Sequence, residues 1–348
     1  MTATFAVLQG GLGNTLQDAG RAGFRSQGVP VSGWLDRWLA QCANALVGNT
    51  SNAAVIELRA MGPTLKLTQG LTRLALCGQV EGKLTRASGL SAPVAPWCGI
   101  TLHAGDTLQV GVVADGCAYL ACATGWDGET AMGSRATYTR VGLGGMQGRA
   151  LQTGDTLHSI GQPAQPASAQ RAPAFAHPAT GEPVRVMLGP QADHFTAAAL
   201  STFAKTDWLT TAAQDRMGVR LRGPVLSHAW PGAADIVSDG IAPGAIQVPA
   251  DGQPIVLLAD CQTMGGYPKI ATVISADLPR MAHLPAGTPC RFAVVDAAQA
   301  QSALHAVHEA WLAWQASVKP YAEAGWIDSD ALSHNNLVSG VVNALAPE

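Results

Sequence analysis

The alternation of apolar and polar positions changes character several times along this chain, and the changes mark its elements. Short runs rich in branched apolar residues around 54–58, 64–68, 72–77, 107–113 and 118–123 read as strands. Ahead of them, Leu35, Leu39, Cys42 and Leu46 recur at helical spacing. This predicts a helix over about 34–47, with Ser32 as its cap and Gly48 as its stop. Past residue 160 the pattern vanishes: residues 161–183 are rich in Ala, Pro and Gln and nearly lack branched apolar residues, as a linker does. It restarts at Val184-Arg185-Val186-Met187-Leu188, a clean alternation ending in Gly189-Pro190. Leu304, Val307, Trp311 and Leu312 predict a helix from about 297 to 317, broken at Pro320, and a second helix is expected over 329–345. Trp311 and Trp314, three apart, read as the packing face of the first of these.

Two segments echo each other: Ala104-Gly105-Asp106-Thr107-Leu108-Gln109 and Thr153-Gly154-Asp155-Thr156-Leu157-His158. Each reads as a Gly-Asp turn opening a strand. The expected organisation is therefore a β-rich domain over 1–160, a linker over 161–183, a second β-rich domain over 184–300 and C-terminal helices over 301–348. The 39 glycines and 21 prolines fit this turn-rich, mainly β architecture with some α. A chain of 348 residues, 47% of them hydrophobic, is long enough for two such cores.

Charge excludes some function classes. Only 13% of residues are charged and the net charge is -3, so no basic stripe for nucleic acid exists. No apolar run reaches the ~18 residues of a membrane span, and no basic region followed by an apolar core opens the chain, so a cytoplasmic protein is expected. The seven cysteines are an odd number without a Cys-x-x-Cys pair, which reads as buried free thiols in a reducing compartment. Cys261 stands apart because it lies in a polar loop, where a catalytic thiol would need a nearby base or cation. The nine histidines form no zinc-like cluster, so no metal site is expected.

That polar loop is the most informative stretch. Between Ile246-Gln247-Val248 and the apolar run ending at Ile274 come Asp260, Gln262 and Thr263, then Gly265-Gly266, then Tyr267-Pro268-Lys269. Paired glycines let backbone approach a small ligand, and the phenol and ammonium offer donors to a developing oxyanion. Only five lysines occur in the chain, which makes Lys269 more pointed. Lys269, Tyr267, Arg216 and Asp260 are the catalytic candidates. Gln17, Asp18, Arg21, Asp36, Asn44, Arg220, Gln247, Gln262, Thr263, Gly265 and Gly266 are the substrate-binding candidates. Arg216 or Arg220 offers a bidentate grip on a carboxylate, or equally a surface ion pair. Gly10-Gly11-Leu12-Gly13-Asn14-Thr15 reads equally as a tight turn or a binding loop, and it lacks the Gly-Lys-Ser/Thr ending of a phosphate loop.

Several of these segments, taken together and in order, resemble the allophanate hydrolase subunit 2, or biotin-dependent carboxyltransferase, family, which includes the 5-oxoprolinase C-subunit and the KipI antagonist. They are Thr15-Leu-Gln-Asp-Ala-Gly-Arg, Gly28-Val-Pro-Val-Ser-Gly-Trp-Leu-Asp, Ala43-Asn-Ala-Leu-Val-Gly-Asn, Gly133-Ser-Arg, Gly148-Arg-Ala-Leu, Asp215-Arg-Met-Gly-Val-Arg-Leu, Ser238-Asp-Gly-Ile and 244–278. The resemblance implies two cyclophilin-like β-barrel domains with a cleft between them. It implies a partner of the allophanate hydrolase subunit 1 type (the 5-oxoprolinase B-subunit), and a LamB/YcsF-type A-subunit in a 5-oxoprolinase. The activity implied is ATP-dependent opening of 5-oxoproline to glutamate. Carboxyl transfer from carboxybiotin to urea or a related amide, and antagonism of a kinase inhibitor, stand as alternatives. No cofactor is expected to attach covalently to this chain: ATP is used by the complex, and biotin, where used, is carried by a partner, since the chain lacks an Ala-Met-Lys-Met attachment sequence. The chain departs from the family at Trp34, Cys261, Met264 and His283, where Ala, Arg, Thr and Gln are usual.

Overall fold

A computed structural model describes residues 2–161 and 168–321. The expected helix over 329–345 lies outside them. The fold is mainly β with four α-helices among the described residues: α1 (Arg37–Leu46), α2 (Ala197–Lys205), α3 (Leu278–Met281) and α4 (Ala297–Ala316).

Three large sheets carry the chain. A six-stranded sheet orders Thr156–His158, Thr4–Gln9, Thr64–Gln69, Thr107–Val113, Val80–Thr85 and Ser91–Val94. A seven-stranded sheet orders Thr15–Gln17, Val55–Leu58, Ala118–Cys122, Leu71–Cys77 and Cys98–His103, and ends on the short strands Gln170–Arg171 and Lys319–Pro320. The Ala/Pro-rich segment is therefore partly structured: Arg171 pairs with Cys98 on one side and Lys319 on the other. An eight-stranded sheet is built wholly from residues 184–294, with Lys269–Val273 between Ala245–Gln247 and Val184–Leu188.

Burial explains the local choices. In α1, Leu39, Cys42 and Leu46 are buried as their spacing predicts. The cap is Asp36 rather than Ser32: its Oδ1 accepts from the N–H groups of Trp38 and Leu39 at 2.9 and 3.1 Å. Ser32 instead sits in left-handed backbone (φ 55°), with its N–H spent on the Ala259 carbonyl. Gly48, at φ 77°, ends the helix as expected. A capping box between Asp296 and Gln299 starts α4. Trp314 anchors it, donating to the Pro173 carbonyl at 2.8 Å.

The two echoing Gly-Asp turns share one construction. Asp106 accepts from the N–H of His103 and from Arg86, and Asp155 accepts from the N–H of Gln152 and from Arg149. In each, the carboxylate closes its own turn and binds one guanidinium.

The largest hydrophobic core crosses between the sheets. It joins Leu39, Leu46 and Tyr119 of the first half to Val186, Phe203, Trp208, Val256 and Ile270 of the second. A second cluster, with Phe5, Leu65, Leu108 and Trp126, lies within the first half alone. The halves meet again where Gly116 crosses residues 282–283: a Cβ there would lie 1.7 Å from the Ala282 carbonyl oxygen, so only glycine fits.

Candidate functional site

Lys269 opens a buried strand, and its side chain is only 4% exposed. Its ammonium donates to Asp239 Oδ2 at 2.7 Å and to the Gly240 carbonyl at 3.2 Å. An ammonium has three N–H donors, so one remains without a partner among the described residues. Asp239 is an exposed carboxylate, held below the usual carboxylate range first by the Lys269 hydrogen bond and then by the N–H of Gly240. Gln191 joins them: its amide donates to Asp239 at 3.3 Å, and its carbonyl accepts from the Lys269 backbone N–H at 3.3 Å. Asp239 and Gly240 pair as a short ribbon with Met264 and Gly265, which brings the tip of the Gly-Gly loop over the lysine.

The paired glycines admit protein as well as space. A Cβ on Gly265 would meet Ile241 at 2.6 Å and the Gln247 amide at 3.0 Å. Gln247 is buried, and Gln262 reaches its carbonyl at 3.5 Å. Thr263 contributes its backbone carbonyl to Ile241. Beside them the half-exposed Tyr267 hydroxyl has no partner among the described residues. Lys269, Tyr267, Gln247, Gln262, Thr263, Gly265 and Gly266 are thus one cluster.

Arg216 and Asp260 form a second, very different cluster. Arg216 grips Asp260 through Nε and Nη2 at 2.9 and 3.0 Å, Glu57 through Nη1 at 2.5 Å, and the Gly33 carbonyl at 2.6 Å. Glu57 is fully buried and also accepts from the Leu35 N–H and the Tyr119 hydroxyl. Burial would lower the guanidinium pKa, but the Glu57 and Asp260 charges outweigh it and raise it. The expected bidentate grip exists, but on the chain's own carboxylates. Arg220, the alternative, is exposed. Glu57 is not legible in the sequence as a site residue: in a four-residue apolar strand, nothing local distinguishes it.

A third group comes from the first half. Asp18 accepts from the Gly20 N–H, the Ser134 hydroxyl and the Arg135 N–H, and so ties residues 134–136 to the 18–21 turn. Arg21, 1% exposed, donates through Nη2 to the Ala136 carbonyl. Arg25 reaches from the first half to the Ile241 carbonyl in the second and lies against the Cys261 thiol. Cys261 therefore has the cation a reactive thiol needs, yet burial outweighs Arg25 and pushes the thiol up. Tyr138 is half-buried nearby, its phenol pushed up by burial and by Asp260. Arg25 and Tyr138 are neighbours of this group that the sequence does not announce, since each meets Asp260 or Cys261 only across a long sequence separation.

The remaining candidates go elsewhere. Gln17 is fully buried and donates to Thr15 and to the Thr137 carbonyl. Asn44 is spent on Ala53 and Asn49 behind α1. Asp36 faces a different cavity of about 930 Å³, where its Oδ2 meets His283 Nε2 at 2.9 Å. Trp34, with its indole N–H on the Gln17 carbonyl, lines a cavity of about 370 Å³ together with Ser32, Arg37 and Pro243. The Gly10–Thr15 segment is a turn closed around Asn14, whose amide donates to the Gly10 and Met61 carbonyls and whose carbonyl accepts from Arg59. Among the described residues, no group of three or more His, Cys, Asp or Glu side chains is disposed to hold a metal ion, and no helix is long and apolar enough to cross a membrane.

Residues 27–294 match the family model for the carboxyltransferase domain, subdomain A and B. The chain is 36% identical over 290 residues to the 5-oxoprolinase C-subunit of Escherichia coli (strain K12), an alignment covering 82% of this chain and 89% of that protein. It is 31% identical to urea amidolyase of Lachancea kluyveri, covering 83% of this chain but 17% of that protein. Among solved structures it is similar to the K. lactis urea amidolyase, with a TM-score of 0.81 at 28% identity, covering 92% of this chain and 21% of that one. The chain thus spans nearly all of the first protein and about a fifth of the large ones.

Proposed function

The chain belongs to the family of carboxyltransferase domain, subdomain A and B, and we propose that it is the component of a 5-oxoprolinase that holds the lactam during ring opening. The observation that carries this reading is the Lys269 cluster: a buried ammonium with one unspent donor, under a glycine-tipped loop, in a chain that aligns over most of its length with a 5-oxoprolinase C-subunit. Lactam opening converts a planar amide into a species with charge on the carbonyl oxygen. A preorganised cationic donor stabilises that charge more than it stabilises the ground-state carbonyl.

In this reading the lactam carbonyl oxygen takes the third Lys269 N–H. Asp239 and the Gly240 carbonyl keep the ammonium aimed, and Gln191 keeps both in register. The Tyr267 hydroxyl, unspent at the loop tip, orients the ring or passes a proton to the departing nitrogen. Arg216 and Asp260 do not touch substrate; through Glu57 and the Gly33 carbonyl they join the two halves of the chain. The Gly10–Thr15 turn, closed on Asn14, offers phosphates no cradle, so ATP use is assigned to the partners and no step here runs through it. Those partners are a protein like the 5-oxoprolinase B-subunit and a LamB/YcsF-type A-subunit.

Similarity to urea amidolyase over 83% of the chain favours a second reading, carboxyl transfer to urea or a related amide from a biotinylated partner. Co-expression with the two partners, followed by ATP-dependent glutamate release from 5-oxoproline, separates the two. Release that disappears when this chain is omitted, or when Lys269 is replaced, is the expected result. A stable complex without release, active only with bicarbonate and a biotinylated partner, would establish the second reading. Activity in neither assay would leave a regulatory binding module.

A further inference from the structure

Of the three arginines around Asp260 and Cys261, one is saturated and two are not. Arg216 spends its donors on Asp260, Glu57 and the Gly33 carbonyl, so it has no grip left for a substrate carboxylate. Arg21 is almost fully buried, yet its Nε and Nη1 are buried without a partner among the described residues. The carboxylates near it are occupied: Asp18 by Gly20, Ser134 and Arg135, and Asp260 by Arg216. Arg25 is half-buried, and its Nη1 is likewise buried and unpartnered. Arg25 donates to the carbonyl of Ile241, the residue after the Gly240 whose carbonyl accepts from Lys269, and it lies against Cys261, while Arg21 feels the charge of the adjoining Asp260. Tyr138, half-buried, lies close enough to Asp260 and Cys261 for their charges, with burial, to hold its phenol protonated.

Buried guanidinium N–H groups are seldom left unpaired, because each unmade bond carries its full desolvation cost. Their planar fork matches a carboxylate. We infer that Arg21 and Arg25 form a carboxylate-binding site beside the Lys269 cluster, receiving the acid group of a small amide-bearing acid whose amide lies toward Lys269. Naming the lactam acid 5-oxoproline rests on the function proposed above; the carboxylate site itself does not. A ligand with a carboxylate at one end and an amide at the other would engage both cation sites at once. Urea, which has no acid group, would leave Arg21 and Arg25 unmet.

The test is a set of saturation-transfer NMR titrations of the full chain with 5-oxoproline, glutarate and 2-pyrrolidinone. These probes carry the acid and lactam, the acid alone, and the lactam alone. The expected order places both acids well ahead of 2-pyrrolidinone. Arg25→Gln should weaken acid binding by ~10- to 100-fold, with Arg25→Lys recovering part of it. Arg25 is the residue of choice because it is half-buried; Arg21→Lys is the companion variant, with its fold checked by circular dichroism. In the assembled complex, Arg25→Gln should raise KM for 5-oxoproline and spare kcat. Equal binding of 5-oxoproline and 2-pyrrolidinone, or acid binding unchanged in Arg25→Gln, overturns the inference. Arg25-dependent glutarate binding with no 5-oxoproline turnover in the complex would remove the lactam reading and leave the carboxylate site standing.

Discussion

Arg216 and Lys269 are both buried cations facing carboxylates, and they lie in the same half of the chain, but the structure uses them in opposite ways. Arg216 is enclosed by two buried carboxylates and the Gly33 carbonyl, and its bond to Glu57 bridges residues 159 apart in sequence. Lys269 faces a single exposed carboxylate and keeps a donor in reserve. A saturated cation holds walls together, whereas an unsaturated one beside solvent is available to a ligand. Burial alone therefore does not tell the two cations apart; unspent hydrogen-bonding capacity does.

The contrast is broken most severely at Arg216. Replacing it by Ala leaves Glu57 and Asp260 buried without a counter-ion, and should destabilise the fold by ~3–5 kcal/mol. Chemical denaturation would measure this; a loss within error of zero would dissolve the distinction. Lys269→Ala should do the reverse, lowering kcat in the assembled complex by about 10²–10³-fold while leaving the partners bound and costing less stability than Arg216→Ala, because the carboxylate it leaves behind, Asp239, is already in water. Tyr267→Phe sharpens the picture inside the Lys269 cluster: turnover should fall by less than in Lys269→Ala, with stability unaffected, since the hydroxyl has no partner among the described residues.

The smallest effect concerns pH. His283 is pulled between burial, which lowers its pKa, and the combined attraction of Cys117, Asp115 and Asp36, which wins and holds it well above the ordinary histidine value. A raised folded pKa means that the charged form stabilises: the contribution is complete below the unfolded value of about 6.5 and disappears as pH climbs through the raised one. The Tm gap between wild type and His283→Gln should therefore be widest in mild acid and shrink in alkali. A gap that widens with pH would show that His283 is neutral in the folded protein.

Periodicity locates the elements whose logic is local. Leu39, Cys42 and Leu46 announce α1, the alternation from Val184 to Leu188 announces a core strand, and Leu304, Val307 and Trp311 announce α4. The cap of α1 falls four residues from its expected place because Ser32 and Asp36 are both good caps, and only the backbone at Ser32 decides between them. The glycine-tipped loop is legible as a candidate site because Gln262 to Lys269 lie together in the chain. Glu57, Arg25, Tyr138 and His283 are not, since their roles depend on partners brought in from the other half. Arg216 shows the same limit from the other side: its fork is foreseeable, but the identity of the carboxylates it grips is not.

The core shared between Leu39, Leu46, Val186, Phe203 and Trp208 also has a consequence for inheritance. Neither half can be exchanged, lost or acquired alone without exposing an apolar face, so recombination is expected to move the pair as one cassette. The similarity follows that boundary: the same body matches nearly a whole stand-alone protein in a bacterium and one slice of a much longer fungal polypeptide. The part common to those two contexts is the body that this shared core holds together.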